Sequence, residues 1–162
     1  LLMTAPVTSL QMVLGKFMSV AAMMIVMCGI PLVFPLILDV YGSTSGTDNA
    51  VEWMPVWSGT LVVFLLGLTF CAIGLFVSSL TDSQIVAALL TFAALLLIFV
   101  LPMIASRLEG DWRTVIEYIG PMEHVSRCTQ GRLLLSDLVY FGSALTFLLF
   151  ATVRVVESHR WR

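Results

Sequence analysis

The sequence is dominated by four long runs of apolar residues that carry almost no charge. The first run, residues 17–38, has 22 residues, and residues 57–79 and 85–105 follow it. The fourth run, residues 138–156, is interrupted only by Arg154 near its end. Because each run is close to or above the ~20 residues that an α-helix needs to cross a bilayer, the pattern predicts four transmembrane helices.

The composition excludes a water-soluble domain. The chain is 59% hydrophobic and 11% charged, whereas a soluble domain has about 45–50% apolar and about 25% charged residues. So few charges cannot cover a water-facing surface, and a net charge of −2 offers no basic face for a nucleic acid. We therefore predict an all-α integral membrane protein, a single transmembrane domain over residues 1–162 whose partner is the lipid bilayer.

The connections between the predicted helices differ in kind. Residues 39–56 form a polar loop rich in glycine, serine, threonine, aspartate and asparagine, the composition of a surface turn. Residues 80–84 are so few that the second and third helices must form an antiparallel pair.

The long charged loop at residues 106–136 contains two short helical patterns. Residues 112–119 and 122–130 are separated by Gly120 and Pro121, and both are too short to span a bilayer. They are predicted as interfacial or re-entrant helices. Two roles stay open for them, a lid on the outer end of a pathway and a structural cap on the bundle.

The placement of lysine and arginine sets the predicted orientation. Lys16, Arg154 and Arg160 flank helix ends directly, while the arginines of residues 106–136 are mixed with acidic residues. By the positive-inside rule, both termini are predicted in the cytoplasm, with residues 39–56 and 106–136 outside.

Two turns on the predicted cytoplasmic side share a capping pattern. Thr8 and Gln11 have the spacing of a capping box, and Thr81 and Gln84 repeat it. Each pattern either simply starts a helix or forms a rigid surface on which another protein docks.

The sequence lacks the residues that several activities need. Lys16 is the only lysine and Phe17 follows it, so the chain has no phosphate-binding loop for ATP. His124 and His159 lie outside the predicted spans, and the cysteines lack the spacing of a metal site. We therefore predict no catalytic, cofactor or metal site, and the three cysteines are interpreted as packing residues.

Ionisable residues are also missing from the middle of every predicted span. Proton- and ion-coupled transporters usually carry one there. If the protein moves a substrate, its energy is therefore expected to come from another chain.

Five segments resemble ABC-2 type permeases, in particular the group associated with gliding motility. They are LLMTAPV at residues 1–7 with VLGKF at 13–17, AIGLFVSSLT at 72–81 with QIVAA at 84–88, and VRVVESHRW at 153–161. The first pair resembles the family's cytoplasmic segment after its second span. The second pair resembles the family's short central turn, and the last segment resembles its C-terminal end.

The resemblance implies the C-terminal part of a six-span permease. The four spans would be the family's third to sixth, and the chain would lack the first two. The two short helices would match the pair of external helices before the last span, and residues 1–16 would be a cytoplasmic coupling segment.

The resemblance also implies partners. In the family, two permease subunits form a pathway and two cytosolic ATPase subunits bind ATP and drive it, so a homo- or heterodimer and an ATPase are expected. The implied docking residues are Leu1, Leu2, Met3, Thr4, Val7, Thr8 and Gln11, with Thr81, Asp82 and Gln84 in the second cytoplasmic turn.

Two functions remain open. The first is the permease subunit of an ATP-driven exporter in the bacterial cytoplasmic membrane, without enzymatic activity of its own. The alternative is a non-transporting scaffold or accessory subunit of a motility or maturation complex. Transport-coupled activity of an associated ATPase would distinguish the two.

Overall fold

The computed structural model describes residues 8–42, 51–105, 120–131 and 134–160. These residues are almost entirely helical and contain no strand, which confirms the all-α class. The helices are α1 (Ser9–Gly29), α2 (Val33–Gly42), α3 (Trp53–Leu80), α4 (Gln84–Ala105), α5 (Pro121–Thr129) and α6 (Leu135–Arg160).

The first two helices form one element of 34 residues, Ser9–Gly42. A single 3-10 turn, Ile30–Leu32, joins α1 to α2. The turn contains Pro31, which lacks a backbone donor and disturbs the α-helical hydrogen bonds. The predicted span, residues 17–38, lies inside this element, and residues 9–16 of the predicted coupling segment form its first turns.

Four helical elements of the described chain are long and apolar enough to cross a membrane, as predicted. Each begins before the predicted apolar run, because a helix continues through polar residues as long as its backbone hydrogen bonds can form. The elements are Ser9–Gly42, Trp53–Leu80, Gln84–Ile104 and Leu135–Ser158.

Helix α3 is the centre of the bundle, and α1, α4, α5 and α6 all pack on it. Met24 of α1 lies against Gly67, and Thr91 of α4 lies 3.6 Å from where a Cβ of Gly74 would be. A Cβ at Gly67 would overlap the Met24 methyl group, so the flexible end of the Met24 side chain would have to move. The small residues of α3 therefore face two different helices.

The contacts also fix the helix directions. Because Met24 is opposite Gly67, and Leu32 shares a surface depression with Trp57, α1 and α2 run antiparallel to α3. Phe141 of α6 clusters with Val62, so the start of α6 lies beside the first half of α3. The start of α1, the α3–α4 turn and the end of α6 consequently lie at the same end of the bundle.

Hydroxyl side chains inside the spans bond to their own helices. Thr60, Thr69, Thr91 and Thr152 each donate to the carbonyl oxygen four residues earlier, at 2.7–2.9 Å. In a medium without water this satisfies the hydroxyl group. These residues can therefore lie in a span without a polar partner on another helix.

Most large apolar side chains point away from the bundle. Ile85 is 82% exposed and Met103 is 75% exposed, while full burial is confined to a few residues around α3. Lipid is as apolar as these side chains, so their exposure costs little in a bilayer. The arrangement is that of a membrane bundle, and it leaves faces for lipid and for other subunits.

Candidate functional site

The predicted capping box at the start of α1 is confirmed. The Gln11 backbone N–H donates to Thr8 Oγ1 at 3.3 Å, and the Thr8 backbone N–H donates to Gln11 Oε1 at 3.1 Å. Thr8 has an extended backbone, with φ −76° and ψ 151°. These reciprocal bonds fix the direction in which the chain enters α1.

The second predicted capping box is wrong. Helix α4 begins at Gln84, so Gln84 is its first residue and not its third. Thr81 instead ends α3, with an extended backbone, and its hydroxyl lies 3.5 Å from the Ser83 carbonyl oxygen. Ser83 precedes α4, and its carbonyl accepts from the Ala87 N–H.

The structure brings the two predicted docking segments to one end of the bundle. Thr8 precedes α1 and Thr81 follows α3, and these two helices are antiparallel neighbours. Asp82 lies in the turn beside Thr81, and both are outside the helices. The remaining predicted docking residues, Leu1, Leu2, Met3, Thr4 and Val7, lie outside the described residues.

Helix α5 confirms one of the two predicted short helices. It covers Pro121–Thr129, with Pro121 at a position that needs no backbone donor. Gly131 follows its C-cap residue, has a φ of +80° that suits glycine, and donates its N–H to the Cys128 carbonyl. The other predicted helix, residues 112–119, lies outside the described residues.

Helix α5 runs lengthwise beside the first half of α3. Gly131 approaches Pro55, and the Ser58 hydroxyl donates to the Cys128 carbonyl at 2.7 Å. At the other end of α5, Pro121 lines a cavity together with Leu66. Helix α5 therefore runs antiparallel to the first half of α3, which is a candidate span.

A buried polar cluster joins α5 to α6. His124 is 0% exposed and Asp137 is 2% exposed. His124 Nδ1 lies 2.6 Å from Asp137 Oδ1, and the Cys128 thiol lies 3.5 Å from the other carboxylate oxygen. Arg127 NH2 lies 3.8 Å from Asp137 Oδ1 and 3.3 Å from His124 Nδ1.

This geometry assigns the hydrogen on the imidazole. Asp137 is beside the positively charged Arg127, so its carboxylate acts as an acceptor. Nδ1 of His124 must therefore carry the hydrogen and donate it to Asp137. The nearby guanidinium of Arg127 then contributes its charge and does not donate to Nδ1.

Aromatic rings surround the imidazole. The Tyr140 ring stacks on His124 with a centroid separation of 4.3 Å, and Phe141 presents its edge at 6.2 Å. Phe141 also forms an apolar core with Val62 and Cys128, at the place where α3, α5 and α6 meet. The polar pair is thus shielded from water on the side of the bundle.

The cluster has the chemistry of a structural joint. The Cys128 thiol donates to the Asp137 carboxylate, whose negative charge opposes the formation of a thiolate beside it. A cation would meet the positive charge of Arg127, and the described residues contain no group of metal ligands in binding geometry. The cluster can therefore fasten α5 to α6.

Cys128 is expected to resist alkylation. Burial raises the pKa of its thiol, the hydrogen bond and charge of Asp137 raise this pKa further, and Arg127 offsets only part of the effect. Since the thiolate is the reactive form, modification by iodoacetamide should be slow at about pH 7 and accelerate as the pH rises. Mass spectrometry of the Cys128 peptide measures the rate, with denatured protein as the control. Rapid labelling of the folded chain at neutral pH would contradict this geometry.

The sequence analysis missed this cluster, although the sequence contained a signal for it. His124 and Cys128 are four residues apart, so a helix places them on one face. Asp137 stands at the start of an apolar run, where a charge is costly unless it has a partner. The sequence interpretation counted Asp137 among the acidic residues of this loop and did not consider it as a partner of His124.

Comparison with known protein families shows to which family the chain belongs. The model described as ABC-2 family transporter protein matches residues 1–155. The chain belongs to the ABC-2 transporter family. No curated protein and no solved structure matches it.

Membership of the ABC-2 family agrees with the fold. The match covers all four candidate spans except the last residues of α6. The chain is therefore a multi-pass membrane protein of a transporter family, a transport subunit and not an enzyme. The capped start of α1, the α3–α4 turn and the α5–α6 joint are features of this ABC-2 chain.

Proposed function

We propose that the chain is the permease subunit of an ATP-binding-cassette exporter, driven by a separate ATPase. The family match over residues 1–155 carries the proposal. The sequence contains no phosphate-binding loop, so ATP would bind to a partner chain. We place the protein in the bacterial cytoplasmic membrane and, from its sequence resemblance, in the gliding-motility group.

The ATPase would dock at the end of the bundle that carries Thr8 and Thr81. The capping box fixes the entry into α1, and α1 continues with α2 across the membrane as one element. A displacement at Thr8 would therefore be carried into α1, which packs on α3. We propose Leu1, Leu2, Met3, Thr4, Val7, Thr8, Gln11, Thr81, Asp82 and Gln84 as the contact residues.

A second permease subunit would complete the pathway. Large apolar side chains remain exposed on α1, α4 and α6, including Met23, Phe92 and Phe147. These faces suit both lipid and a second apolar helix bundle. Both a homodimer and a heterodimer fit this proposal, and the native mass of the detergent-solubilised complex would separate them.

Disrupting the proposed contact should uncouple the ATPase. Leu2→Asp places a charge in the proposed contact, and we expect stimulation of the partner ATPase to fall at least tenfold, about 1.4 kcal/mol of lost coupling. Thr8→Ala removes the cap at a cost of about 1 kcal/mol and should reduce coupling less. The measurement is ATP hydrolysis by the co-reconstituted ATPase, with and without the permease.

Ser19→Ala is the matched control for that experiment. Its hydroxyl bonds to the Lys16 carbonyl within α1, away from the proposed contact, so its removal should leave stimulation unchanged. Wild-type stimulation by inserted Leu2→Asp would refute the coupling role. Recruitment of the ATPase without substrate movement would favour the scaffold function over export.

The proposed orientation gives a labelling pattern. In a cysteine-free background, a cysteine at Ser45 should react with an impermeant maleimide in intact spheroplasts, because residues 39–56 are placed outside. A cysteine at Asp82 should react only after lysis, because the α3–α4 turn is placed in the cytoplasm. Protection of position 45 until lysis would reverse the orientation.

A further inference from the structure

The backbone hydrogen bonds of the first spanning element change beyond its middle. Helix α1 is followed by the turn Ile30–Leu32, and α2 then begins at Val33. The Ile30 N–H still donates to the Val26 carbonyl, four residues back, as in any α-helix. The Val33 N–H donates instead to the Ile30 carbonyl, three residues back. The α-helical pattern is therefore interrupted between two regular helices.

Two prolines coincide with this interruption. An α-helix would need an N–H at position 31 for the Met27 carbonyl and one at position 35 for the Pro31 carbonyl, and proline supplies neither. Pro102 in α4 offers a comparison, because there a single proline leaves the helix continuous over Gln84–Ala105. In this chain one proline does not end an α-helix, whereas Pro31 and Pro35 together accompany a break.

The helices on the two sides of the turn are held differently. Helix α1 packs on both α3 and α6, and Met24 lies against Gly67. Among the described elements, α2 has its main contact with the turn itself. None of the residues of α2 is buried, and Phe34 and Tyr41 are both highly exposed. Helix α1 is therefore fixed in the bundle, whereas α2 contributes no residue to a packed core of the described chain.

A surface depression beside the turn leaves room for movement. Ile25, Cys28 and Leu32 line one side of it, and Trp57 and Leu61 of α3 line the other. Closely packed side chains would leave no such space, so the turn is not interlocked with α3. A change of angle at the turn therefore does not have to displace side chains of the core.

We propose that Ile30–Leu32 is a hinge at which α2 changes its angle to α1 while α1 stays in place on α3. Two of the hydrogen bonds that would stiffen a continuous helix here are absent, so the backbone dihedral angles of the turn can change without breaking them. The movement widens or narrows the end of the bundle opposite Thr8. It does not depend on the proposed ATPase.

The length of α2 sets the size of the movement. The helix has 10 residues, which corresponds to about 15 Å. A change of about 20°, the lower bound of a sharp proline kink, moves the far end of α2 by about 5 Å. Distances between two spin labels resolve a displacement of this size.

A pair of spin labels at positions 40 and 139 tests the hinge. In a cysteine-free background it joins α2 to the start of α6, at the same end of the bundle, and both native side chains, Val40 and Val139, are exposed. The full chain is reconstituted in nanodiscs with excess unlabelled protein, which suppresses distances between copies. We expect a distance distribution that covers about 5 Å and is at least twice as broad as that of a control pair.

Met23 and Phe147 provide the positions of the control pair. They join α1 to α6 on the other side of the hinge, and both side chains are exposed. Because α1 packs on α3 and α6, this distribution should be narrow. An unchanged control distance also reports that the bundle of each variant is folded.

Replacing the two prolines should remove the movement. Pro31→Ala combined with Pro35→Ala restores both backbone donors, so α1 and α2 should become one continuous α-helix. The distribution of the 40/139 pair should then narrow to the width of the control pair. Pro102→Ala removes a proline that does not interrupt its helix, and it should leave the 40/139 distribution broad.

Three outcomes would overturn the hinge. A wild-type 40/139 distribution as narrow as that of the control pair would show that α2 holds one angle. A distribution that stays broad after both prolines are replaced would place the movement outside the turn. Equal narrowing by Pro102→Ala would show that the effect is not specific to the turn. None of these results bears on the proposed export function, because the measurement does not involve the ATPase.

Discussion

Asp137→Leu is expected to lower the free energy of unfolding by about 3 kcal/mol, because it removes one partner from a buried ion-pair network. Asp137 accepts from His124 at 2.6 Å, and both side chains are almost completely buried. Without the carboxylate, the imidazole N–H loses its acceptor and Arg127 loses its nearest buried counter-charge. Reversible unfolding in mixed micelles measures the loss.

A double variant distinguishes loss of the pair from loss of packing. His124→Phe combined with Asp137→Leu replaces both polar groups by apolar ones, and such replacements are often close to neutral. We expect the double variant to recover most of the lost stability. The control is Glu157→Gln, which disrupts an exposed pair with Arg154 at 3.6 Å and should cost less than about 1 kcal/mol.

This comparison tests whether the buried cluster holds α5 on α6. If Asp137→Leu is as stable as Glu157→Gln, the cluster does not hold α5 in place. If the double variant is no more stable than Asp137→Leu, the stability lost in Asp137→Leu comes from the shape of the leucine and not from an unpaired polar group.

Phe141→Ala should destabilise the same junction by ~3–5 kcal/mol. Phe141 is 0% exposed and fills the core with Val62 and Cys128, while its ring also contacts Tyr140 and His124. Truncation leaves a cavity where α3, α5 and α6 meet, and the lost van der Waals contacts cannot be replaced by lipid. The same unfolding measurement, with hydrogen exchange in α5, records the effect.

Phe147→Ala is the matched control for Phe141→Ala. Phe147 lies on the same helix but is 71% exposed. Its position faces lipid both before and after truncation, so the free energy of unfolding should change by less than about 0.5 kcal/mol. Equal effects of the two substitutions would show that Phe141 is not part of a packed core.

The four spans were predictable because the bilayer imposes a simple length requirement on apolar runs. The runs at residues 57–79 and 85–105 lie within or coincide with α3 and α4. The helix ends were less predictable. Residues such as Ser9 and Glu157 extend the helices beyond the apolar runs, since backbone hydrogen bonds do not require an apolar side chain.

The two capping patterns show how local sequence can mislead. Thr8 and Gln11 form the predicted box, since Thr8 is the residue directly before α1 and Gln11 is the third residue of that helix. The same spacing at Thr81 and Gln84 fails because Thr81 ends α3, and α4 begins three residues later. The difference comes from the length of the connection and not from the side chains themselves.

The sequence alone predicted an integral membrane protein and the four apolar runs that became candidate spans in the described residues. These properties depend on composition and on runs of neighbouring residues. Only the tertiary structure decided that α5 lies along α3, that His124 meets Asp137, and that a cavity remains between α4 and α6. Such contacts join residues that are 13 to 70 positions apart, and pairings of this kind follow from how helices pack, which local patterns do not contain.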